Sequence, residues 1–306
     1  MVLERLFPPD IRVEKEARGL IKAGHELFLL SLRSKDLSEK EIVDGINVHR
    51  FYPANKYINC LIYSLSYKDP IWEKNLLELV QDESIEAIHV HDLPLVKTAS
   101  IVAKKCDVPI VIDLHENFPE AIRTYRNQKR PLLNRAHDST MPISRWKKFE
   151  AASIKDVNHI ITVVDEAKMH YVDDCNVPAS KVTVVMNTED LDEFDKLEID
   201  DSLVNDYRDE FVISYIGGFD THRGIDTAIK SMSYILKEIP HARLLLVGKG
   251  PQKYESELRK LCQGLKVEKN VTFTGWVDFR LVPSYIELSD ICLVPHNASG
   301  HTNTTV

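Results

Sequence analysis

The sequence predicts an α/β protein made of two Rossmann-like halves, and three observations lead there. Short apolar runs without polar alternation recur between longer amphipathic stretches, the pattern of parallel strands buried on both faces and separated by helices. That rhythm stops at an acid-rich segment, residues 189–210, and then restarts. The chain's 306 residues are also about twice what one domain needs.

The elements follow in order. A first strand must occupy the roughly six residues before Pro8-Pro9-Asp10. Val13, Ala17, Leu20 and Ile21 fall on one face of a helix over 13–24, which stops at Gly24. Strands are expected at 27–32 and 45–51. A helix near 72–81 then leads to a strand at 85–91, one near 95–105 to 109–114, and one near 146–156 to 160–164, with 181–187 closing the set. These make a first domain over 1–190. Between 189 and 210 there are eleven acids against Lys196 and Arg208, most simply a solvated linker, 191–210, with a first surface helix. A second domain over 211–306 has strands at 211–217, 243–247, 271–273 and 291–295, with helices near 227–237, 254–264 and 282–288. It stops at Val306 after four strands, so the second domain reads as partial and the chain as truncated at its C-terminus.

Composition narrows the function. Lys and Arg total 39 against 47 Asp and Glu, a net charge of −8, so no global basic field exists to hold nucleic acid. No apolar run is long enough to span a membrane, and the N-terminus lacks a signal-peptide layout. Five scattered cysteines without a CxxC pair argue for a reducing, cytoplasmic setting and against a disulfide framework or zinc site.

In open α/β sheets ligands sit outside the carboxyl ends of strands, and three such places carry chemistry. Tyr215-Ile-Gly217-Gly218-Phe-Asp-Thr-His-Arg223-Gly-Ile-Asp226 is a strand, a glycine turn and a helix start, where backbone can approach a phosphate and Arg223 adds a fixed charge. Its plainer reading is a tight turn with a surface arginine. Leu245-Leu-Val-Gly248-Lys249-Gly250-Pro251 sets a lysine between two glycines where it can reach an anion, or is a βα turn with an exposed lysine; it lacks the dinucleotide fingerprint. Asp113-Leu-His115-Glu116-Asn117 ends a strand with a histidine able to exchange a proton or bind a hydroxyl, or is simply a polar strand end.

His89-x-His91-Asp92 puts two imidazoles on one strand face, but spacing supplies no third ligand, so no metal is expected. Between 123 and 148, eight basic residues (Arg123, Arg126, Lys129, Arg130, Arg135, Arg145, Lys147, Lys148) oppose Asp138 alone, with Tyr125, Trp146 and Phe149 interleaved. Such a stripe suits an anionic membrane surface or a phosphate-bearing acceptor; a solvated loop and one ordinary helix is the alternative.

Taken in order, these segments resemble the family-4 retaining glycosyltransferases of the GT-B fold. The likeness runs from Pro8-Pro-Asp-Ile-Arg-Val-Glu-Lys-Glu-Ala-Arg18 and Leu20-Ile-Lys-Ala-Gly-His-Glu26 through Val90-His-Asp-Leu-Pro94 and Asp113-Leu-His-Glu-Asn-Phe-Pro-Glu120. It continues through Gly217-Gly-Phe, Arg223-Gly-Ile-Asp226, Leu246-Val-Gly-Lys-Gly-Pro251, Val271-Thr-Phe-Thr-Gly-Trp-Val277 and Ser289-Asp-Ile-Cys-Leu-Val-Pro295. The resemblance implies two Rossmann-like domains with parallel sheets facing a cleft. A nucleotide-diphosphate sugar would sit mainly on the second domain and a lipid-linked or oligosaccharide acceptor on the first, at the cytoplasmic membrane face, with no metal or other cofactor. It implies a hexosyl transfer with retention in polysaccharide biosynthesis.

By the same resemblance, His115 is the catalytic histidine near the sugar, and Arg223 and Lys249 are the cations at the diphosphate. Gly217, Gly218, Gly248 and Gly250 form the donor turns, while Gly275, Trp276 and Val277 line the base. Asp10, Arg12, His91, Asp92 and Glu116 belong to the cleft loops. Gly217-Gly218 stands where the family often has Gly-Arg. Of the family's paired glutamates, the first falls at Asn303–Thr304 and the second beyond Val306. A non-catalytic donor-binding or scaffold subunit and a GT-B sugar-nucleotide epimerase are the alternatives.

Overall fold

The structure is a computed structural model that describes residues 1–53, 62–126 and 141–305. Its contacts divide it into two units, Met1–Thr188 with Ser299–Val306, and Glu189–Ala298. The terminal segment thus groups with unit 1, whereas the sequence reading had kept it in the second domain.

Unit 1 holds an eight-stranded sheet: β1 (Val2–Leu6), β2 (Phe28–Leu32), β3 (Lys40–Val43), β4 (Ile46–Phe51), β5 (Ile88–His91), β6 (Ile110–Leu114), β7 (His159–Thr162) and β8 (Val182–Val184). Their spatial order is β3-β4-β2-β1-β5-β6-β7-β8. Every pairing is parallel except β3 with β4. β1 shows why these strands lack alternation. Val2 packs into the cluster under the helices Pro70–Asp82 and Val96–Cys106, while Leu3 joins Val13 and Ala17 of the helix Ile11–Lys22 on the opposite face. Both faces are covered, so both kinds of position must be apolar.

The expected strands and helices of this half are present with ends shifted by a few residues. The helix Ile11–Lys22 begins at Asp10, whose carboxylate accepts from the Val13 N–H, and ends before Gly24 at φ +92°. Strand β3 was not anticipated. It pairs with β4 through Asp44-Gly45, both at positive φ, the backbone that a two-residue hairpin requires. The helix Phe118–Arg126 was also missed.

Unit 2 is a four-stranded parallel sheet ordered β11-β10-β9-β12, from β9 (Phe211–Ile216), β10 (Ala242–Val247), β11 (Val271–Gly275) and β12 (Ile291–Cys292). Helices Ile225–Glu238 and Gln252–Leu265 cover one face through Ile229, Met232 and Leu258. On the other, Val212, Leu245 and Val247 meet Tyr285 and Leu288, joined by Leu203, Val204 and Tyr207. The acidic segment is therefore docked in unit 2 by these three side chains, while Leu191 and Ile199 stay exposed, and the Asp200 N–H donates to Ser284 Oγ at 2.8 Å.

Candidate functional site

In unit 2 the expected glycine turns form one layer at the carboxyl ends of β9, β10 and β11. The Gly217 N–H donates to Val247 O at 2.9 Å, Gly248 N–H to Gly275 O at 3.0 Å, and Phe219 N–H to Lys249 O at 3.0 Å. Glycine is needed at Gly248, where φ is +139° and a Cβ would stand 2.0 Å from Gly217 O. Gly250 is tied to the next helix by its N–H, which donates to Glu255 Oε1 at 2.9 Å. Lys249 and Gly218 are exposed on this layer. Trp276, 79% exposed, stands just beyond β11, with Val277 half-buried beside it.

Arg223 lies in the short 3₁₀ turn Thr221–Arg223 that precedes the helix Ile225–Glu238. Its Nη1 is 3.0 Å from His296 Nε2, and its charge faces Tyr215, whose hydroxyl donates to Gly218 O at 2.7 Å. One arginine thus borders both the β9 turn and the segment after β12. His296 was missed by sequence reasoning, although it directly follows the Leu-Val-Pro segment already singled out.

Unit 1 gathers a second group at the carboxyl ends of β5 and β6. His91 lies opposite Asp113 in the β5–β6 register. His115 Nε2 is 3.1 Å from Asp113 Oδ2, and His91 Nδ1 is 3.6 Å from the same oxygen. The His89 and His91 rings stack at 4.6 Å between centroids, and those of His91 and His115 at 5.7 Å. Glu16, from the helix Ile11–Lys22, brings Oε2 to 3.9 Å from His91 Nδ1. Sequence reasoning did not find Glu16; its signal was the Arg12–Glu16 spacing, which sets both on one helix face.

Burial sets the protonation of this group. It pushes the Glu16 carboxyl up to about 9, with the Asp113 charge adding to the effect. Burial also opposes ionisation of Asp113, but the facing imidazoles of His89 and His91 outweigh it and hold that carboxyl below the usual range. Burial lowers His91 to about 3 and His115 to about 4, so both rings are neutral at pH 7. Asp92, at φ +65°, is raised to about 6 by burial. Asp10 lies 3.7 Å from Arg12 Nε.

The remaining expected residues lie elsewhere. Asn303 and Thr304 sit in the terminal turn of unit 1, where the Asn303 N–H donates to Ser299 O and Thr304 Oγ1 donates to Gly300 O at 2.9 Å. In the same segment, His301 Nε2 is 3.0 Å from Glu116 Oε2. Over its described part the basic stripe is largely engaged with other groups of unit 1. Arg123 and Lys147 both pair with Glu120, at 3.0 and 2.7 Å. Arg126 donates to Met141 O, and Arg145 donates to Leu65 O and lies over the Tyr67 ring. Trp146 and Phe149 belong to the core, while Lys148 is exposed, as are Arg123 and Lys147 despite their pairing. Lys129, Arg130 and Arg135 lie outside the described residues.

Among the described residues no helix is long and apolar enough to cross a membrane, and the four described cysteines are all free. The chain is similar to alpha-D-kanosaminyltransferase of Streptomyces kanamyceticus, 20% identical over 64% of this chain and 48% of that protein. It is also similar to the Escherichia coli UDP-Gal:alpha-D-GlcNAc-diphosphoundecaprenol alpha-1,3-galactosyltransferase, 22% identical over 72% and 54%. It thus spans about half the length of these relatives. Among solved structures, sucrose-phosphate synthase of Thermosynechococcus elongatus aligns over 95% of this chain and 70% of its own, at TM-score 0.70 and 16% identity. That likeness bears on the fold, the α/β architecture of GT-B proteins. The model for Glycosyl transferases group 1 matches residues 210–306, and the one for Glycosyltransferase Family 4 matches residues 11–193. With well over half of its length under the latter model, the chain belongs to Glycosyltransferase Family 4.

Proposed function

We propose that this chain carries the acceptor-side unit and the nucleotide-sugar-binding unit of a glycosyltransferase that moves a hexosyl group from a nucleoside-diphosphate donor to a lipid-linked or glycan acceptor, with retention. The observation that carries the reading is the layer of glycine turns ending β9, β10 and β11, flanked by Arg223 and exposed Lys249. Turns without side chains let a diphosphate approach the backbone closely, and two cations offset the charge that grows on the departing diphosphate. Trp276 is the candidate base platform, as its exposed ring offers a stacking face. The relatives' names, one of which carries UDP-Gal and a diphosphoundecaprenol acceptor, support a nucleotide-sugar donor and a lipid diphosphate acceptor. In unit 1 His115 is the candidate catalytic group, and the exposed Lys148 helps meet an acceptor phosphate at the membrane face. Transfer of this kind works by positioning and electrostatic stabilisation of an oxocarbenium-like transition state and needs no metal in the chemical step.

Isothermal titration with UDP, GDP, ADP and TDP tests the reading. One nucleotide should bind, and Arg223→Ala and Lys249→Ala should each weaken it at least tenfold, about 1.4 kcal/mol. Absence of binding to any of the four by a folded chain, or binding unchanged in both variants, would remove the donor-site assignment.

A further inference from the structure

The group at the carboxyl ends of β5 and β6 is built from more polar atoms than the protein satisfies. Asp113 is 1% exposed, yet neither of its carboxylate oxygens accepts a hydrogen bond among the described residues. Glu16 Oε2 is likewise buried without a hydrogen-bond partner. Buried carboxylate oxygens without hydrogen bonds are costly, so these oxygens call for a partner. His91 and His115 are 1% and 3% exposed, and each turns a ring nitrogen toward the same Asp113 oxygen.

Four atoms converge there. His115 Nε2 and Asp113 Oδ2 are 3.1 Å apart, His91 Nδ1 and His115 Nε2 3.4 Å, His91 Nδ1 and Asp113 Oδ2 3.6 Å, and His91 Nδ1 and Glu16 Oε2 3.9 Å. The ligand atoms of Glu16, His91, Asp113 and His115 all lie within 4.8 Å of one another. A four-coordinate ion bonded at roughly 2.0–2.2 Å needs its ligands about 3.3–3.6 Å apart. The three separations among His91, Asp113 and His115 fall within about 0.2 Å of that span, and Glu16, with a quarter of its side chain exposed, is the ligand free to move in.

We propose that Glu16, His91, Asp113 and His115 form a binding site for one divalent transition-metal ion of the zinc class. Two imidazoles with two carboxylates match zinc or cobalt rather than calcium or magnesium, which take oxygen ligands in larger number. The site rests on unit 1 alone and stands whether or not the transferase reading does. A second group, Glu150, His170 and Cys175, is the natural control. There His170 has already committed Nε2 to Glu150 at 3.1 Å and Nδ1 to Asp174 at 2.8 Å.

The test uses the whole untagged chain, stripped with a chelator and titrated calorimetrically with zinc chloride, with cobalt(II) absorption as a second readout. One equivalent of zinc should bind, and cobalt should give the intense visible bands of a tetrahedral site. Asp113→Asn, which is close to isosteric, and His91→Gln should each weaken zinc at least tenfold, while His170→Gln leaves it unchanged. Circular dichroism confirms that each variant is folded, and either of the first two suffices if the other is not. No zinc binding by the folded chain, or binding unaffected by a folded Asp113→Asn or His91→Gln variant, overturns the proposal. Loss of binding in His170→Gln instead would move the ion to the second group and overturn it equally.

Discussion

Gly224 is where the backbone of unit 2 leaves no freedom, and replacing it with alanine tests that geometry directly. The residue has φ +67° at the start of the helix Ile225–Glu238, and a Cβ built there would lie 1.8 Å from Pro295 O and 2.8 Å from Pro295 C. Left-handed backbone costs a non-glycine residue about 1 kcal/mol. The carbonyl of Pro295 must also retreat, which strains the hydrogen bond from the Asn297 N–H to His222 O, 3.0 Å long, worth about 1 kcal/mol. Overpacking against rigid backbone adds about 1–3 kcal/mol, so Gly224→Ala should destabilise unit 2 by about 3–5 kcal/mol. Gly264 supplies the opposite case. It lies in the helix Gln252–Leu265 with nothing within 4 Å of a built Cβ, so Gly264→Ala should stabilise by about 0.5–1 kcal/mol. Hydrogen exchange read by mass spectrometry separates the two units without assuming one global transition. Amides of β9 and β10 should lose at least about a hundredfold of their protection in Gly224→Ala and gain a few-fold in Gly264→Ala. Protection in Gly224→Ala within twofold of the parent chain would refute the clash argument.

Two further outcomes concern stability. Burial alone would lower the His170 pKa, but hydrogen bonds with Cys175, Glu150 and Asp174 outweigh it and raise it to about 10. Its stabilisation is therefore complete below about pH 6.5 and fades as the pH rises through 10; because Asp174 is 73% exposed, the effect should be about 2 kcal/mol rather than the full linkage value. Urea midpoints measured from pH 6 to pH 10 should fall in the parent chain, and His170→Gln should flatten that slope; equal slopes in both would discard the assignment. Asp69 Oδ1 accepts from the N–H groups of Ile71 and Trp72, at 2.9 and 3.2 Å, ahead of Pro70. Asp69→Ala should cost about 1 kcal/mol, and urea unfolding with no change in midpoint would show that water replaces this cap.

The sheets were legible because their strands are buried on both faces, which forces unbroken apolar runs such as Leu244-Leu245-Leu246-Val247. Glycine turns were legible for a related reason: a close backbone approach such as that of Gly248 to Gly217 admits no side chain. The reading failed where a local rule was outweighed. Trp146 and Phe149 lie among lysines and an arginine, and the charge count assigned them to a surface, yet they point inward from the helix Ile143–Ser153. In the acid-rich segment, three apolar side chains among eleven acids suffice to dock it under unit 2. The β3–β4 hairpin had its signal in Asp44-Gly45, but only Ile42 and Val43 precede that turn as apolar residues, too few to mark a strand.

The candidate sites divide along the same line. In unit 2 each turn is local to one strand end, so Gly217, Arg223 and Lys249 could be named from short stretches of sequence. In unit 1 His91 and His115 could be named the same way, but their grouping with Glu16 could not, because its members come from three elements. Glu16 follows β1, His91 ends β5 and Asp113 lies one residue before the end of β6, and only the order β1-β5-β6 with His91 opposite Asp113 makes them neighbours. A spacing test confined to His89-x-His91 sees two ligands and stops there. The fold supplies the others, and it does so at a cost, since several buried polar atoms remain without hydrogen bonds and each such atom typically costs about 1–3 kcal/mol. A sheet needs no polar cluster to close its core: Val90 and Ile112, one residue earlier on the same two strands, are fully buried and apolar. Polarity at the carboxyl ends of β5 and β6 is therefore better explained by something that binds there than by the packing of unit 1.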